Sequence, residues 1–108
     1  MKIHIKALSV NKCWQGRRFK TQEYKDYEKE VFYLLEPMKV SKKKKLIVSI
    51  TVGFKSVLAD IDNIAKPFID ILQKKYGFND NQIYGLELYK EIVPKKEDQF
   101  IMFEIIEY

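Results

Sequence analysis

Alternating apolar and polar residues predict β-strands in two segments of this chain. In Lys2–Leu8 every second residue from Ile3 to Ala7 is apolar. Leu46–Phe54 has the same alternation over a longer stretch, with five large apolar side chains on one face and Ser, Thr and Gly on the other. Because successive side chains of a strand point to opposite faces, each of these segments has one face to bury.

Apolar residues at helical spacing predict two helices. The first follows Thr21, a residue that suits the N-cap position, and is ended by Pro37. The second covers Asn63–Tyr76 and is followed by a glycine, a common C-terminal residue of helices. Proline is tolerated in a helix only near the first turn, so Pro67 predicts that this helix starts close to Asp62 or Asn63.

The remaining segments complete a mixed α/β (α+β) architecture. The polar and basic segment Ser9–Lys20 predicts a loop, and Gln82–Val93 and Gln99–Glu107 predict a terminal hairpin around the turn at Pro94–Asp98. The element order is then β-α-β-α-β-β, which favours one mixed sheet with two helices packed on it. At 108 residues, with no linker or repeat, we expect a single domain over 1–108.

Composition excludes several classes of protein. Hydrophobic residues make up 46% of the chain, with four glycines and three prolines, which argues against disorder and collagen. The single cysteine, Cys13, excludes a disulfide framework and a cysteine-based zinc site. No apolar stretch approaches the ~20 residues of a membrane span, and the first residues do not resemble a signal peptide. We therefore expect a soluble, cytoplasmic protein with no membrane partner.

Charge is divided unevenly along the chain. Residues 1–58 carry a net charge of +9 and residues 59–108 a net charge of −4, which together give +5. Basic residues interleaved with aromatic ones suit a nucleic-acid backbone, because lysine and arginine release counterions from phosphates. The candidate DNA-binding residues are Lys12, Arg17, Arg18, Lys20, Lys42, Lys43, Lys44 and Lys45. A lysine run in a solvated turn is an equally good interpretation of the last four.

Three carboxylates are the candidate catalytic groups. Asp60 and Asp62 follow the long predicted strand and, two residues apart in an extended segment, point the same way. Asp80 follows the second helix, and a returning loop is expected to bring it near the end of the same strand. Clustered carboxylates repel one another unless a hard cation such as Mg²⁺ neutralises them. We therefore expect Asp60, Asp62 and Asp80 to converge on one divalent cation.

Lys66 lies one helical turn after Asp62 and is the candidate for stabilising negative charge on a phosphate. Ordinary structural roles explain the same residues. Asp62 suits an N-cap, Lys66 and Asp70 suit a surface ion pair, and Asp80 suits a polar turn. Spacing alone leaves these alternatives open.

The longer motif resembles one family. The string DIDNIAK at 60–66, followed by Asp70 and by GFNDNQI at 77–83, resembles the RusA family of Holliday junction resolvases. The segment SVNKCWQGRR at 9–18 is similar to the first loop of that family. The resemblance therefore covers nearly the whole chain. One departure is Asn79, where some members have a second aspartate.

The resemblance implies a function. Members of that family are Mg²⁺-dependent endodeoxyribonucleases that act as homodimers in DNA recombination and repair, cutting two opposed strands of a four-way junction, and phages or prophages often carry them. The resemblance implies that Asp60, Asp62 and Asp80 are the metal ligands in this sequence and that Lys66 is the fourth catalytic residue. Two alternatives stay open: a DNA-binding protein without catalysis, and a metal-dependent nuclease for another branched nucleic acid.

Overall fold

The structure, a computed structural model, describes residues 1–16 and 19–108. Its centre is a four-stranded mixed sheet with the order β1 (Lys2–Ile3), β6 (Phe100–Glu107), β4 (Leu46–Phe54) and β5 (Ile83–Ile92). β4 runs parallel to β5 and antiparallel to β6, and β6 is antiparallel to β1. The predicted strand Leu46–Phe54 and the predicted mixed sheet with two helices are confirmed.

The predicted terminal hairpin is wrong. β5 and β6 do not pair with each other, because β4 lies between them. The second helix carries the chain back along β4, so that β5 starts beside the start of β4, with Leu46 opposite Ile83. The connection after β5 then crosses the far end of β4, where the Val93 amide donates to the Phe54 carbonyl at 2.8 Å. β5 and β6 are thus joined by a short turn in the sequence but separated by β4 in the sheet.

Both helices form where the hydrophobic spacing predicts them. α1 covers Gln22–Leu34, and the side chain of Thr21 accepts a hydrogen bond from the Tyr24 amide, which confirms Thr21 as the N-cap. α2 covers Asp62–Tyr76 and ends at Gly77, whose φ of 75° suits glycine. Pro67 lies in the second turn of α2, deeper than expected, and is fully buried.

One hydrophobic core joins the sheet to the helices. The five alternating apolar residues of β4 are all buried, and Phe68 of α2 meets Phe103 of β6 edge to face at 5.6 Å. Aromatic pairs in this geometry contribute ~1 kcal/mol beyond their buried area. Replacing a fully buried side chain such as Phe68 with alanine costs roughly 3–5 kcal/mol. The core fixes α2, and with it the candidate site, against the sheet.

The N-terminal segment departs from its prediction. Only Lys2–Ile3 is strand, although Ile5 and Ala7 are buried as their alternation requires. Residues 9–20 contain a 3-10 turn at Val10–Lys12 and a two-stranded ribbon of β2 (Trp14–Gln15) and β3 (Phe19–Lys20) rather than only loop. Within the described residues, no helix is long and apolar enough to cross a membrane.

Candidate functional site

The loop between β4 and α2 carries Asp60 and is held by a lysine of β5. Lys90 Nζ donates to the carbonyls of Val57 and Ala59, each at 3.0 Å. This contact is one that sequence reasoning missed, because an alternating strand does not indicate which loop its side chains reach. Asp60 itself is exposed and lines a cleft of about 1040 Å³ between this loop, α1 and the N-terminal segment. Lys12 and Asn63 line the same cleft.

Asp62 is the first residue of α2 and is not its N-cap. The N-cap position is held by Ile61, and no side chain caps the helix there. The ordinary structural role considered for Asp62 is therefore wrong. Among the described residues, the carboxylates of Asp60 and Asp62 take part in no hydrogen bond or ion pair. A negative charge in the first turn is favoured by the helix dipole, and both groups stay open to a ligand.

Lys66 contacts two carboxylates, one on its own helix and one in the turn that follows the helix. Its Nζ lies 2.9 Å from Asp70 Oδ1 and 3.8 Å from Asp80 Oδ2. The predicted pair with Asp70 is therefore present, but it is not the only contact. The hydrogen bond from Lys66 to Asp70, together with the charges of Asp70 and Asp80, raises the pKa of Lys66 above its usual range and keeps the amine charged.

Gln73 fixes the loop that carries Asp80. Its Oε1 accepts from the Asp80 amide at 3.0 Å, and its Nε2 donates to Asp70 Oδ1 at 3.4 Å. Asp80 also begins a 3-10 turn, Asp80–Gln82, which is capped by Asn79. Asn79, the departure from the family motif, therefore serves as a cap through its side chain.

The three candidate ligands do not converge within one chain. No group of three acidic, His or Cys side chains in residues 1–16 and 19–108 is close enough to hold a metal ion. Topology explains this: Asp60 follows the end of β4, whereas Asp80 precedes β5, whose first residue is level with the start of β4. Asp80 is connected to Asp70 through Gln73, and Asp62 lies two turns before Asp70, about 12 Å along the helix axis. The expectation of convergence near one strand end is wrong.

Gln82 joins the Asp80 turn to the lysine-rich turn at 41–45. The side chain is buried, its Oε1 accepts from the Asn79 amide at 3.0 Å, and its Nε2 donates to the carbonyls of Ser41 and Lys44 at 2.8 and 2.9 Å. Sequence reasoning missed this role. The spacing Asn79-x-x-Gln82 is a capping-box signal, but the second pair of bonds is made to a distant segment.

The candidate DNA-binding residues fall into different environments. Lys12 and the lysines at 42–45 are exposed, although Lys44 lies 4.0 Å from Glu107 and Lys45 lies over the Tyr84 ring. Lys20 is half-buried and bonded to both oxygens of Glu28, at 2.9 and 3.0 Å, so its charge is neutralised locally. Arg17 and Arg18 lie outside the described residues.

The chemistry of the carboxylates fits a hard cation. Asp60 and Asp62 offer exposed oxygen donors two residues apart, and Mg²⁺ takes one or two protein carboxylates together with water and substrate oxygens. Asp80 is the same type of donor, but in this chain it faces Lys66. The pair Asp60 and Asp62 is therefore the part of the predicted ligand set that one chain supplies.

Comparison with known proteins identifies the family. A search of the curated proteins gave no match to this chain. The family model described as Endodeoxyribonuclease RusA matches residues 9–99, which include the β4–α2 loop, Lys66, the Asp80 turn and both basic segments. Since this match covers most of the 108 residues, the chain belongs to the RusA endodeoxyribonuclease family.

Proposed function

We propose that this protein is a Mg²⁺-dependent endodeoxyribonuclease that resolves four-way DNA junctions. The observation that carries the proposal is the meeting of Lys66 with Asp80 inside the region that matches the family. An ordinary surface ion pair with Asp70 does not require a loop aspartate fourteen residues away to lie beside the same amine. In the proposed site, the same amine lies beside the motif aspartate Asp80 and is exposed, so that it can reach negative charge on a phosphate.

The proposed roles follow from position and chemistry. Asp60 and Asp62 hold Mg²⁺, which when bound polarises the phosphodiester and activates a water. Lys66 stays protonated and places its positive charge where negative charge develops on the phosphate oxygens. Asp80 is the third ligand. In a single chain, its carboxylate lies beside Lys66 and away from Asp60.

Homodimer formation is part of the proposal, because one chain does not bring its three carboxylates together. In a two-fold dimer, the Asp80 turn of one copy is able to meet the Asp60–Asp62 loop of the other, and the same contact occurs twice. Such an arrangement yields two cutting sites, as two opposed strands of a junction require.

The basic turn at 41–45 is the proposed main phosphate contact. Its lysines are exposed, and Gln82 holds their backbone rigidly against the Asp80 turn. Lysines in this position add electrostatic affinity without reading base sequence. Lys12 lines the same cleft as Asp60 and is a further proposed phosphate contact there.

The test is cleavage of a synthetic four-way junction beside a linear duplex of the same sequence, with Mg²⁺ and with a chelator. We expect paired cuts in the junction only, and only with Mg²⁺. Tight junction binding without cutting contradicts the nuclease and favours the binding protein. Preferential cutting of a flap or another branched substrate keeps the nuclease but rejects junction resolution.

A further inference from the structure

We propose that a groove between α1 and α2 binds the phosphate backbone of a DNA arm beside the cutting site. The groove, called here the lysine groove, has a volume of about 590 Å³ and is lined by Lys25, Glu28, Lys29, Phe32, Tyr33, Lys74 and Lys75. It lies outside the basic segments that the sequence pattern singled out. The proposal rests on the proposed function, because that function supplies a DNA arm at this end of the molecule.

Positive charge in the lysine groove exceeds what its own carboxylate neutralises. Among the described residues, Glu28 is the only acidic side chain that lines it, and that carboxylate is already shared between Lys20 and Lys74, at 2.9 and 2.8 Å. Within the same part of the chain, Lys25 and Lys29 are exposed and take part in no ion pair. They are four residues apart on α1 and therefore lie on one face of the helix, where a phosphate backbone can meet both charges.

Two aromatic residues give the groove a wall that suits nucleic acid. Tyr33 is 87% exposed and Phe32 is 42% exposed, so both rings are accessible to a ligand. Lys75 Nζ lies 4.5 Å from the centre of the Phe32 ring and donates to the Phe32 carbonyl at 3.2 Å. This lysine is therefore fixed in place before any ligand binds. A lysine held in this way presents its charge to a phosphate at a smaller cost in side-chain entropy.

The position of the lysine groove favours a duplex arm over an isolated anion. Lys74 follows Asp62 on the same helix by about 18 Å along the axis, at 1.5 Å per residue. With a rise of ~3.4 Å per base pair, this distance corresponds to about five base pairs. Lys74 is also one turn beyond Asp70, the partner of Lys66. The distance from Asp62 to Lys74 is therefore short enough for one duplex arm to reach both.

The test measures binding of a linear DNA duplex over a series of salt concentrations. The variant Lys25→Ala/Lys29→Ala removes two exposed lysines from a helix in which alanine is well tolerated. The control Lys2→Ala/Lys95→Ala makes the same charge change at two residues that line neither cleft. Thermal melting of all three proteins checks that each is folded, and single-turnover junction cleavage is measured in parallel.

If the lysine groove holds DNA, the groove variant binds roughly tenfold or more weakly at about 0.1 M salt. Its slope of log affinity against log salt becomes shallower by about 0.9 for each phosphate that the protein no longer neutralises. The control keeps most of the wild-type slope. Unchanged binding in the groove variant, an equal weakening in the control, or a wild-type protein that does not bind the duplex each overturns the proposal. Cleavage is scored separately, so a protein that binds through the groove without cutting rejects only the nuclease.

Discussion

At the scale of single residues, the two contacts of Lys66 distinguish a structural role from a catalytic one. Its amine meets Asp70 and Asp80 at once. Asp70 is four residues away on the same helix, an arrangement worth a few tenths of a kcal/mol. Because Lys66 is well exposed, neither contact adds much to stability. The contact with Asp80 crosses between elements of the fold, and it is the one that a catalytic role explains.

Replacing Lys66 with alanine is therefore expected to affect rate more than stability. Single-turnover cleavage by Lys66→Ala should fall by roughly two to three decades, the usual cost of removing a donor that stabilises transition-state charge. Junction affinity should change much less, because one phosphate contact among many carries a small share of binding. Lys66→Arg keeps the charge but changes its shape, so we expect partial recovery.

Asp70→Ala is the matched control for Lys66. It removes the helical partner of the lysine, together with the long hydrogen bond from Gln73, and keeps both Lys66 and Asp80. Both variants should lose little thermal stability, and Asp70→Ala should keep most of its cleavage rate. If Lys66→Ala cuts as fast as wild type, the Lys66–Asp70 contact is an ordinary surface ion pair and Lys66 is not a catalytic residue.

Asp60 is expected to act in chemistry and not in folding. Its carboxylate is exposed and has no hydrogen-bond partner among the described residues, so Asp60→Asn should melt close to the wild-type temperature. Cleavage should be abolished, and junction binding should be kept or tightened, because a negative charge facing phosphates is removed. Gel-shift and cleavage assays on one junction make the comparison. If binding disappears together with cleavage, Asp60 has a structural role instead.

At the scale of elements, Glu28 joins α1 to α2. Its carboxylate is mostly buried and accepts hydrogen bonds from Lys74 and Lys20 at 2.8 and 2.9 Å. Burial alone would raise the pKa of Glu28, but the hydrogen bonds and charges of the two lysines outweigh it and hold the pKa below its ordinary value near 4.5. The folded state thus favours the ionised form of this carboxyl more than the unfolded state does.

This shift in pKa gives a pH dependence with a definite sign. The stabilisation is fully present above the ordinary pKa and is lost as the pH falls through the lower, folded-state pKa. Glu28→Gln should melt at a lower temperature than wild type at neutral pH, and the gap should narrow as the pH falls below about 4.5. Melting curves across this range provide the measurement. A gap that is constant with pH would mean that the glutamine disturbs packing alone.

Like Glu28, Gln82 joins two separate segments, here the lysine-rich turn at 41–45 and the Asp80 turn. Gln82→Leu keeps the burial but removes the hydrogen bonds to the carbonyls of Ser41 and Lys44, each worth about 1 kcal/mol. Because the lysine turn then loses its attachment to the Asp80 turn, we expect weaker junction binding, and slower cutting even at saturating DNA. Affinity and single-turnover rate measured separately would show both effects.

Gln99→Leu is the control for Gln82. Gln99 is equally buried and also joins segments through its amide, accepting from the Lys55 amide at 3.2 Å and donating to the Lys96 carbonyl at 3.1 Å. It holds neither Asp80 nor the lysine turn. Both variants should lose similar stability, and only Gln82→Leu should lose junction affinity. Equal losses of affinity would reduce Gln82 to a general stabilising residue.

The elements also show what hydrophobic patterns encode. β4 and both helices could be predicted within a residue or two, because each buries a face whose period is visible in the sequence. The partner of a strand is not visible in this way. β5 and β6 are rich enough in Ile, Tyr and Phe to be found, but nothing in that composition shows that β4 lies between them. The terminal hairpin failed for this reason.

At the scale of the whole molecule, that same topology decides the candidate site. Asp60, Asp62, Lys66 and Asp80 could be selected from the sequence because they form a family motif, and Lys66 does meet Asp80. Their grouping could not be predicted, since it depends on which end of β4 the parallel strand β5 starts from. A hairpin of β5 and β6 would not have fixed the start of β5 beside Leu46. The observed topology places Asp80 away from Asp60, so that one chain does not bring the three candidate ligands together.

If each site combines residues of two copies, mixing two inactive variants should restore activity. Asp60→Asn and Asp80→Asn are each expected to be inactive as pure proteins. In a mixed dimer, one site combines both substitutions, but the other combines the intact Asp60 of one copy with the intact Asp80 of its partner. Random pairing of equal amounts makes half of the dimers mixed, so about a quarter of the wild-type number of sites should be active. Because each mixed dimer has one active site, it should nick a junction rather than cut both strands.

The measurement is nicking of a labelled junction after the two variants are unfolded together and refolded. Mixing Asp60→Asn with Asp62→Asn is the control, because both substitutions fall in the same loop and leave no intact combination of ligands across the interface if that loop acts as a unit. Recovery in the first mixture and none in the second supports a site shared between copies. If neither mixture recovers while refolded wild type does, Asp80 acts within its own chain and the shared site is rejected.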